Sequence, residues 1–513
     1  MPESVETVYK KLKDFYSYTK VMLGAKSLMT VDMMISMPRG ALNQRMRDID
    51  VLTLRIHEYI TDQTLDEKLS VCEEDIVQSP DRWSKWDQAN VREMRKIHTS
   101  YSALPIELYS KIVRYQNLGR HVQAKFIKDN DHENMQSYLK DVVETLREVA
   151  KRKQDAFGTN TPYEALLKRY VDDFSENECK DLNDSLKETI HEQNGATLAT
   201  EKKPDWRITP ELSKRDIMLL GTLLLQDFGF DFTFGRLIVS QGQSHCGGTN
   251  LDARILVKCT DPPDFFTTIG DILYQGGRGL YMQNIPKEWA EQPAGSLSVM
   301  PSVGAVSLLM EHFLGSSFPF FQYLEKQIKT MPSAPNDNTY VAGKLYKLKQ
   351  DLVKFHPPGR TTRNLQDLLV NILTSDIEKE LISGKIGIED LQSRWEQGLH
   401  DTFDFGGETI DYHVKLKQYW NVPVWFTGQF GSNMAQNISY VMAAQIYNSM
   451  KDNIMDLDHV VADGEFSVLK EWMDKHLFTH AHCLTFPQLL KSFSGSERLN
   501  TTVLDHMDTK AVL

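Results

Sequence analysis

Fifteen histidines and five cysteines in a chain of 513 residues could supply a metal site, so their spacing is the first test of chemistry. A peptidase helix that activates water on zinc needs His at i and i+4 on one face and Glu beside the first His. The metal then holds the water and the carboxylate takes its proton. His57-Glu58, His132-Glu133 and His191-Glu192 each begin that pattern, but Thr61, Gln136 and Gly195 stand where the second His is required. His476 and His480 have the i, i+4 spacing, with His482 and Cys483 close behind, yet no acid adjoins either. The expectation there is packed or surface histidines of a terminal helix. P-loop, Gly-x-Ser-x-Gly and protein-kinase signatures are absent, and Gly276-Gly277-Arg278-Gly279 has neither the spacing nor the Lys-Ser/Thr of a phosphate loop.

The scaffold that must carry any site is globular. With 41% hydrophobic, 25% charged and 10% aromatic residues the chain can bury a sizeable core, which excludes disordered and fibrous classes. The length leaves room for three or four domains or one large helical body. Lys and Arg number 58 against 70 Asp and Glu, a net charge of −12, the wrong sign for gripping phosphate backbones. Cys72, Cys179, Cys246, Cys259 and Cys483 are few, odd in number and scattered, as expected of free thiols in a reducing compartment. The start, Met-Pro-Glu-Ser-Val-Glu, lacks the order of a signal peptide, and the apolar run Ile217 to Leu225 is under half the ~20 residues of a membrane helix. A soluble cytoplasmic protein without nucleic-acid or membrane partners is expected.

Most of the chain has helical periodicity. After Asn130 and Asp131, apolar residues fall at Leu139, Val142, Val143, Leu146, Val149 and Ala150, the stripe of an amphipathic helix. Thr209-Pro210-Glu211 predicts a helix start leading through Ile217, Leu220 and Leu224 to Gly229, and Thr485 with Pro487 predicts another that closes at Gly495. Only Arg236 to Ser240 and Ala253 to Lys258 read as strands, separated by the Gly-rich stretch Gly242 to Gly248. Asn194 to Asp205 and Met331 to Asn338 read as loops. Lys344, Lys347, Lys349, Lys354, Arg360 and Arg363 read as a solvated basic face.

From Gly229-Phe230-Asp231-Phe232 and Gly235 to Ser240 the sequence resembles the carboxypeptidase Taq family of metallopeptidases, and the likeness spans nearly the whole chain. Near the start, Val31-Asp32, Met37-Pro38-Arg39-Gly40-Ala41 and Arg45 are similar to the family's Trp-Asp, Met-Pro-x-Gly-Ala and Arg segment. Val91-Arg92-Glu93, Leu104 to Leu108, Leu381 to Gly384, Asp390-Leu391, Trp395 and Ala443 to Tyr447 follow in order, and Trp472 and His476 match a Trp and a His of the last helices. The resemblance implies a mostly α, two-lobed body with a deep groove and a small central sheet. It would divide into an N-terminal helical lobe over 1–205, a central segment over 206–325 and a C-terminal helical lobe over 326–513.

The resemblance also implies a dimeric carboxypeptidase that binds zinc or cobalt through His-Glu-x-Gly-His and a later Glu. Here the first motif reads Tyr274-Gln275-Gly276-Gly277-Arg278, and the later Glu falls on Gly304. The family's His-Pro-Phe falls on Gly242-Gln243-Ser244, its Arg-x-x-Ala-Asp near Gly359 to Arg363, and its Gln-Asp-x-His-Trp on Asn421 to Trp425. The framing persists: Asp252 and Arg254 of Asp-x-Arg, Tyr281, Glu311, and Trp425, Gly428, Phe430 and Gly431 of Trp-x-x-Gly-x-Phe-Gly.

Gln cannot take the water's proton, and an always-cationic Arg is no zinc ligand. The expectation is therefore a catalytically inactive carboxypeptidase with no metal cofactor, a structural or binding component of a larger, for example cytoskeletal, assembly, with a homodimer also open. Two other readings stand beside it: an active metallocarboxypeptidase with rearranged ligands drawn from His245, His312 or His356, and a sensor of peptide C-termini. Arg278 is expected to replace the dication's charge by pairing with Asp252 or Glu311, or else to hold a peptide's terminal carboxylate. Glycines 276 and 279, each costing about 1 kcal/mol against Ala, are expected to bend or loosen the motif helix.

Overall fold

Amphipathic periodicity becomes helix over most of the chain. The computed structural model describes residues 3–194, 210–240, 242–296, 301–334, 340–355, 365–403 and 419–504. The first helix, Val5–Ile35, is capped by Ser4, whose hydroxyl accepts the Thr7 amide. Helix His132–Phe157 buries the predicted stripe, Leu139, Val142, Leu146 and Val149 among it, and its Asp131 cap accepts the Asn134 amide. Phe486–Ser494 carries a capping box between Thr485 and Gln488, and Gly495 closes it at φ +74°.

The predicted start at Thr209 is displaced. Thr209 lies outside the described residues, Pro210 and Glu211 precede the helix, and Ser213 caps Lys214–Asp227 by accepting the Asp216 amide. The Asn194 to Asp205 loop lies almost wholly outside the described residues, as do positions 335–338 of the second loop. Lys344 and Lys347 are exposed on helix Ala342–Phe355, the solvated face expected, while Arg360 and Arg363 lie outside the described residues.

The sheet has three strands, not two: β1 (Gly235–Ser240), β2 (His245–Thr249) and β3 (Asp252–Lys258), in the order β1-β3-β2. β1 pairs parallel with β3, Gly235 opposite Ala253, and β2 pairs antiparallel with β3, His245 opposite Leu256. The Gly-rich stretch expected to separate the strands therefore contains β2. Its glycines answer to space: a Cβ on Gly247 would lie 2.8 Å from Val31 Cγ2 of the first helix, and Gly248 turns at φ +97°.

One large apolar core runs from Leu104 to Leu504, with a smaller cluster where Leu12 and Tyr16 meet Leu65, Leu69, Val91 and Met94. Two segments of resemblance also meet: Arg45 forms an ion pair with Asp32 at 2.7 Å and donates to the Met29 carbonyl. No described helix is long and apolar enough to cross a membrane. The five cysteines are free thiols, four of them buried.

Candidate functional site

The degenerate motif lies on helix Phe265–Gln283, begun by Asp264, which accepts the Thr267 amide. Ile269, Ile272, Leu273, Leu280 and Tyr281 bury it on several sides. The helix is continuous, contrary to the bend expected from its glycines, because each glycine admits a neighbour. A Cβ on Gly276 would lie 2.2 Å from Leu225, one on Gly277 2.7 Å from the Ser307 backbone, and one on Gly279 2.9 Å from Phe230. The local helix-propensity cost is offset by close packing against helix Pro301–Leu308, β3 and helix Lys214–Asp227.

Gly304 sits on that neighbouring helix, Pro301–Leu308, which packs on helix Ser432–Asn453. A Cβ on Gly304 would lie 2.4 Å from Ser439 Oγ and 3.0 Å from Ser439 Cβ. Real contacts sit at about 3.5–4.0 Å. The place of the later Glu is thus closed by a helix–helix contact, with Ser439 Oγ held by the Ala435 carbonyl at 2.7 Å.

Tyr274 and Arg278 are half-buried and Gln275 is buried on the same helix. The internal pair expected for Arg278 does not form. Asp252 is engaged two residues along its own strand by Arg254, whose Nε and Nη2 (2.9 Å) both donate to it. Glu311 lies in a π-helical turn, Leu309–Leu314, with its carboxylate beside Gly270, about two helical turns from Arg278. Arg278 makes no ion pair with a described residue. Its charge falls on β2: burial, Arg278 and Arg120 together push His245 down to about 4, so this imidazole is neutral at pH 7. Cys246 remains up at about 11 because burial outweighs the same arginine.

The remaining candidates do not converge. His312 is buried and bonded to the Tyr440 hydroxyl at 2.6 Å, and His356 lies outside the described residues. His476 lies in a π-helical turn, Asp474–Phe478, with its ring tilted against Trp472 at 4.6 Å, and His482 faces Glu93 at 3.8 Å. Among the described residues no three His, Cys, Asp or Glu side chains gather in metal-ligating positions. Ser244, in place of the family's Phe, donates to Asp271 at 2.6 Å and accepts the Lys258 amide.

The frame is intact and has its own bonds. Trp425 is buried edge-on to Trp395 at 5.5 Å, and Gly428 and Gly431 turn at φ +63° and +90°. Phe430 is buried in the core and Tyr281 packs on Phe478 at 5.2 Å. The Gly431 amide donates to Glu378 Oε2 at 2.8 Å, which also accepts the Tyr163 hydroxyl at 3.2 Å. Burial pushes the Glu378 carboxyl up to about 8. Glu378, Tyr163, Ser439 and Arg120 are not singled out by the sequence. For Glu378 the available signal is an acid one position from Ile377 and three from Leu381 on a helix whose apolar positions are buried.

The sequence pattern of the carboxypeptidase Taq (M32) metallopeptidases matches residues 11–511. The chain belongs to this family. Carboxypeptidase 1 of Bacillus subtilis is 24% identical over 515 residues, covering 99% of this chain and 98% of the relative. Thermostable carboxypeptidase 1 of Thermus thermophilus is 24% identical over 493 residues, covering 91% of each. Among solved structures, metallocarboxypeptidase 1 of Trypanosoma cruzi superposes with a TM-score of 0.83 at 21% identity, covering 99% of this chain and all of the other. The helical body with its three-stranded sheet is therefore the M32 fold.

The metal implied by the family does not fit the residues at its place. A phenol, an amide and a guanidinium replace the motif's ligands and base, and position 304 has no room even for a methyl group. A fixed guanidinium opposes a dication rather than binding it.

Proposed function

We propose that this M32 member does not hydrolyse peptides and serves as a binding component of a protein assembly. The observation that carries this reading is the closure of Gly304 by Ser439, added to the exchange of the motif residues for Tyr274, Gln275 and Arg278. Such a centre can neither lower the pKa of a water nor accept its proton. Purified protein analysed for metals and assayed for release of C-terminal residues with added zinc or cobalt is expected to show neither stoichiometric metal nor turnover. Stoichiometric metal accompanied by turnover would sink the proposal.

A second reading is favoured by one observation. Arg278 makes no ion pair with a described residue, and Arg120 stands close enough to bear on the same histidine. Two guanidinium groups beside a neutral imidazole suit the terminal carboxylate of a bound peptide. On this reading the groove retains C-terminal recognition without cleavage.

A further inference from the structure

A recess of about 620 Å³ opens between helices Val5–Ile35, Lys85–Ser102, Ile106–Asp129 and His132–Phe157, with Gly428 and Phe430 also in its walls. That is within the roughly 300–1,000 Å³ of small-molecule sites. Tyr274, Gln275 and Arg278 are not among its walls, and nothing in the proposed function requires it.

Its walls combine aromatic and apolar side chains, Tyr101, Tyr109, Leu104 and Val113 among them, with six cations and four acids. The charges do not cancel locally. Glu93 holds Arg92 and Lys96, both at 3.1 Å, and Asp172 holds Lys96 as well. Asp173 and Glu291 are exposed, and accept the Phe486 amide and the Ser17 hydroxyl.

Four cations are left without a carboxylate among the described residues, and one of them, Lys168, donates to the Asp172 carbonyl at 2.6 Å. The Lys153 ammonium donates to Ser100 Oγ at 2.9 Å, and Lys20 reaches Ser296 Oγ at 3.4 Å. The Arg169 guanidinium lies over the Tyr170 ring at 5.4 Å. An ammonium has three donors, and one hydroxyl satisfies one of them. Burial and the charge of Arg169 depress Lys153 to about 8, and burial depresses Lys20 to about 8. Gathering like charges in a recess is unfavourable unless an anion enters.

We propose that this recess binds a compact phosphorylated small molecule, with Lys20, Lys153 and Arg169 taking the phosphate oxygens and Tyr101 and Tyr109 facing its organic body. Two mobile ammonium groups and one guanidinium fork suit the several oxygens of a phosphate better than the two of a single carboxylate.

Calorimetric titration of the full chain with inorganic tripolyphosphate at low salt tests the assignment. One saturable site is expected, weakened about tenfold by Lys153→Met and by Arg169→Met. Neither variant is expected to lower the melting temperature of the ligand-free protein, since each removes a like charge. Should Lys153→Met fail to fold, Lys20→Met takes its place. Absence of saturable binding, unchanged affinity in the variants, or tighter binding of citrate than of tripolyphosphate would each overturn the proposal.

Discussion

Gly304→Ala places a methyl group where the structure leaves none. In an ordinary helix interior this change stabilises by about 1 kcal/mol. Here the new Cβ would lie 2.4 Å from Ser439 Oγ and 3.0 Å from its Cβ, at least 0.5 Å inside normal carbon contact. Relief requires the serine to rotate, losing its bond to the Ala435 carbonyl, about 1 kcal/mol, or the two helices to separate, at roughly 1–3 kcal/mol for overpacking. The clash outweighs the propensity gain, and a net loss of about 1–2 kcal/mol is expected. Ser439→Gly removes both obstructing atoms. It should destabilise by about 1 kcal/mol alone, yet make Gly304→Ala favourable in its background, a coupling of roughly 1–3 kcal/mol. Urea midpoints of the four proteins, compared at equal m-value, measure this cycle. A stabilised Gly304→Ala single variant, or additive effects, would refute the argument that helix packing has closed the ligand position. A Glu at 304 would meet the same two atoms before its carboxylate could reach any metal.

Two further predictions concern protons. Glu378 has its pKa raised from 4.5 to about 8, so the folded state holds a proton that the unfolded state releases. Its contribution to stability is complete below about pH 4.5 and is lost as pH rises toward 8, by up to roughly 1.4 kcal/mol per unit. Glu378→Gln keeps an acceptor for the Gly431 amide and should flatten urea midpoints between pH 5 and 8 relative to the parent; parallel curves would count against a protonated Glu378. His245 behaves oppositely: its pKa falls from 6.5 to about 4, so stability is complete above 6.5 and declines as pH falls through that window. Arg278→Met should raise the His245 titration midpoint observed by NMR. An imidazole that titrates near 6.5 in both proteins would contradict the placement of Arg278 against β2.

The fold was legible because helical periodicity and family framing recur along the whole chain, each stretch agreeing with the next. The stripe of helix His132–Phe157 and the capped Phe486–Ser494 could be read locally. β2 could not, since His-Cys-Gly-Gly-Thr has little strand propensity and is ordered by pairing with β3 and contact with Val31. For the candidate site the sequence could name positions but not their contacts. The sequence places Gly304 at the ligand position, while the side chain that closes it, Ser439, stands 135 residues away on another helix. Likewise, pairing Arg278 with Asp252 is sound by charge, but Arg254 is nearer to Asp252 on the same strand face.

What was kept and what was lost divide by the bonds each residue makes within the chain. Asp252 holds Arg254, Trp425 packs on Trp395, and Gly431 donates to a Glu378 buried with Tyr163. Removing Trp425 or the Gly431–Glu378 bond leaves a cavity or a buried polar group, at about 1–5 kcal/mol, whether or not a metal is bound. Gly304, at the ligand position, carries no side chain to make such a bond. A metal-ligating side chain has its strongest partner in the metal, and without that partner a buried ligand set is a collection of polar groups that must find new bonds or give way. Gly304 took the second course, with Ser439 occupying the volume a side chain would fill, as Leu225, Ser307 and Phe230 do beside Gly276, Gly277 and Gly279 of the motif helix. Arg278 took neither course, remaining half-buried beside β2 without a described counter-ion. Packing accounts for every other replacement in the motif helix and its neighbour that closes space. It does not account for the charge of Arg278, which has no counter-ion among the described residues, and this is why Arg278 is the residue on which a binding role, as opposed to a purely structural one, must be tested.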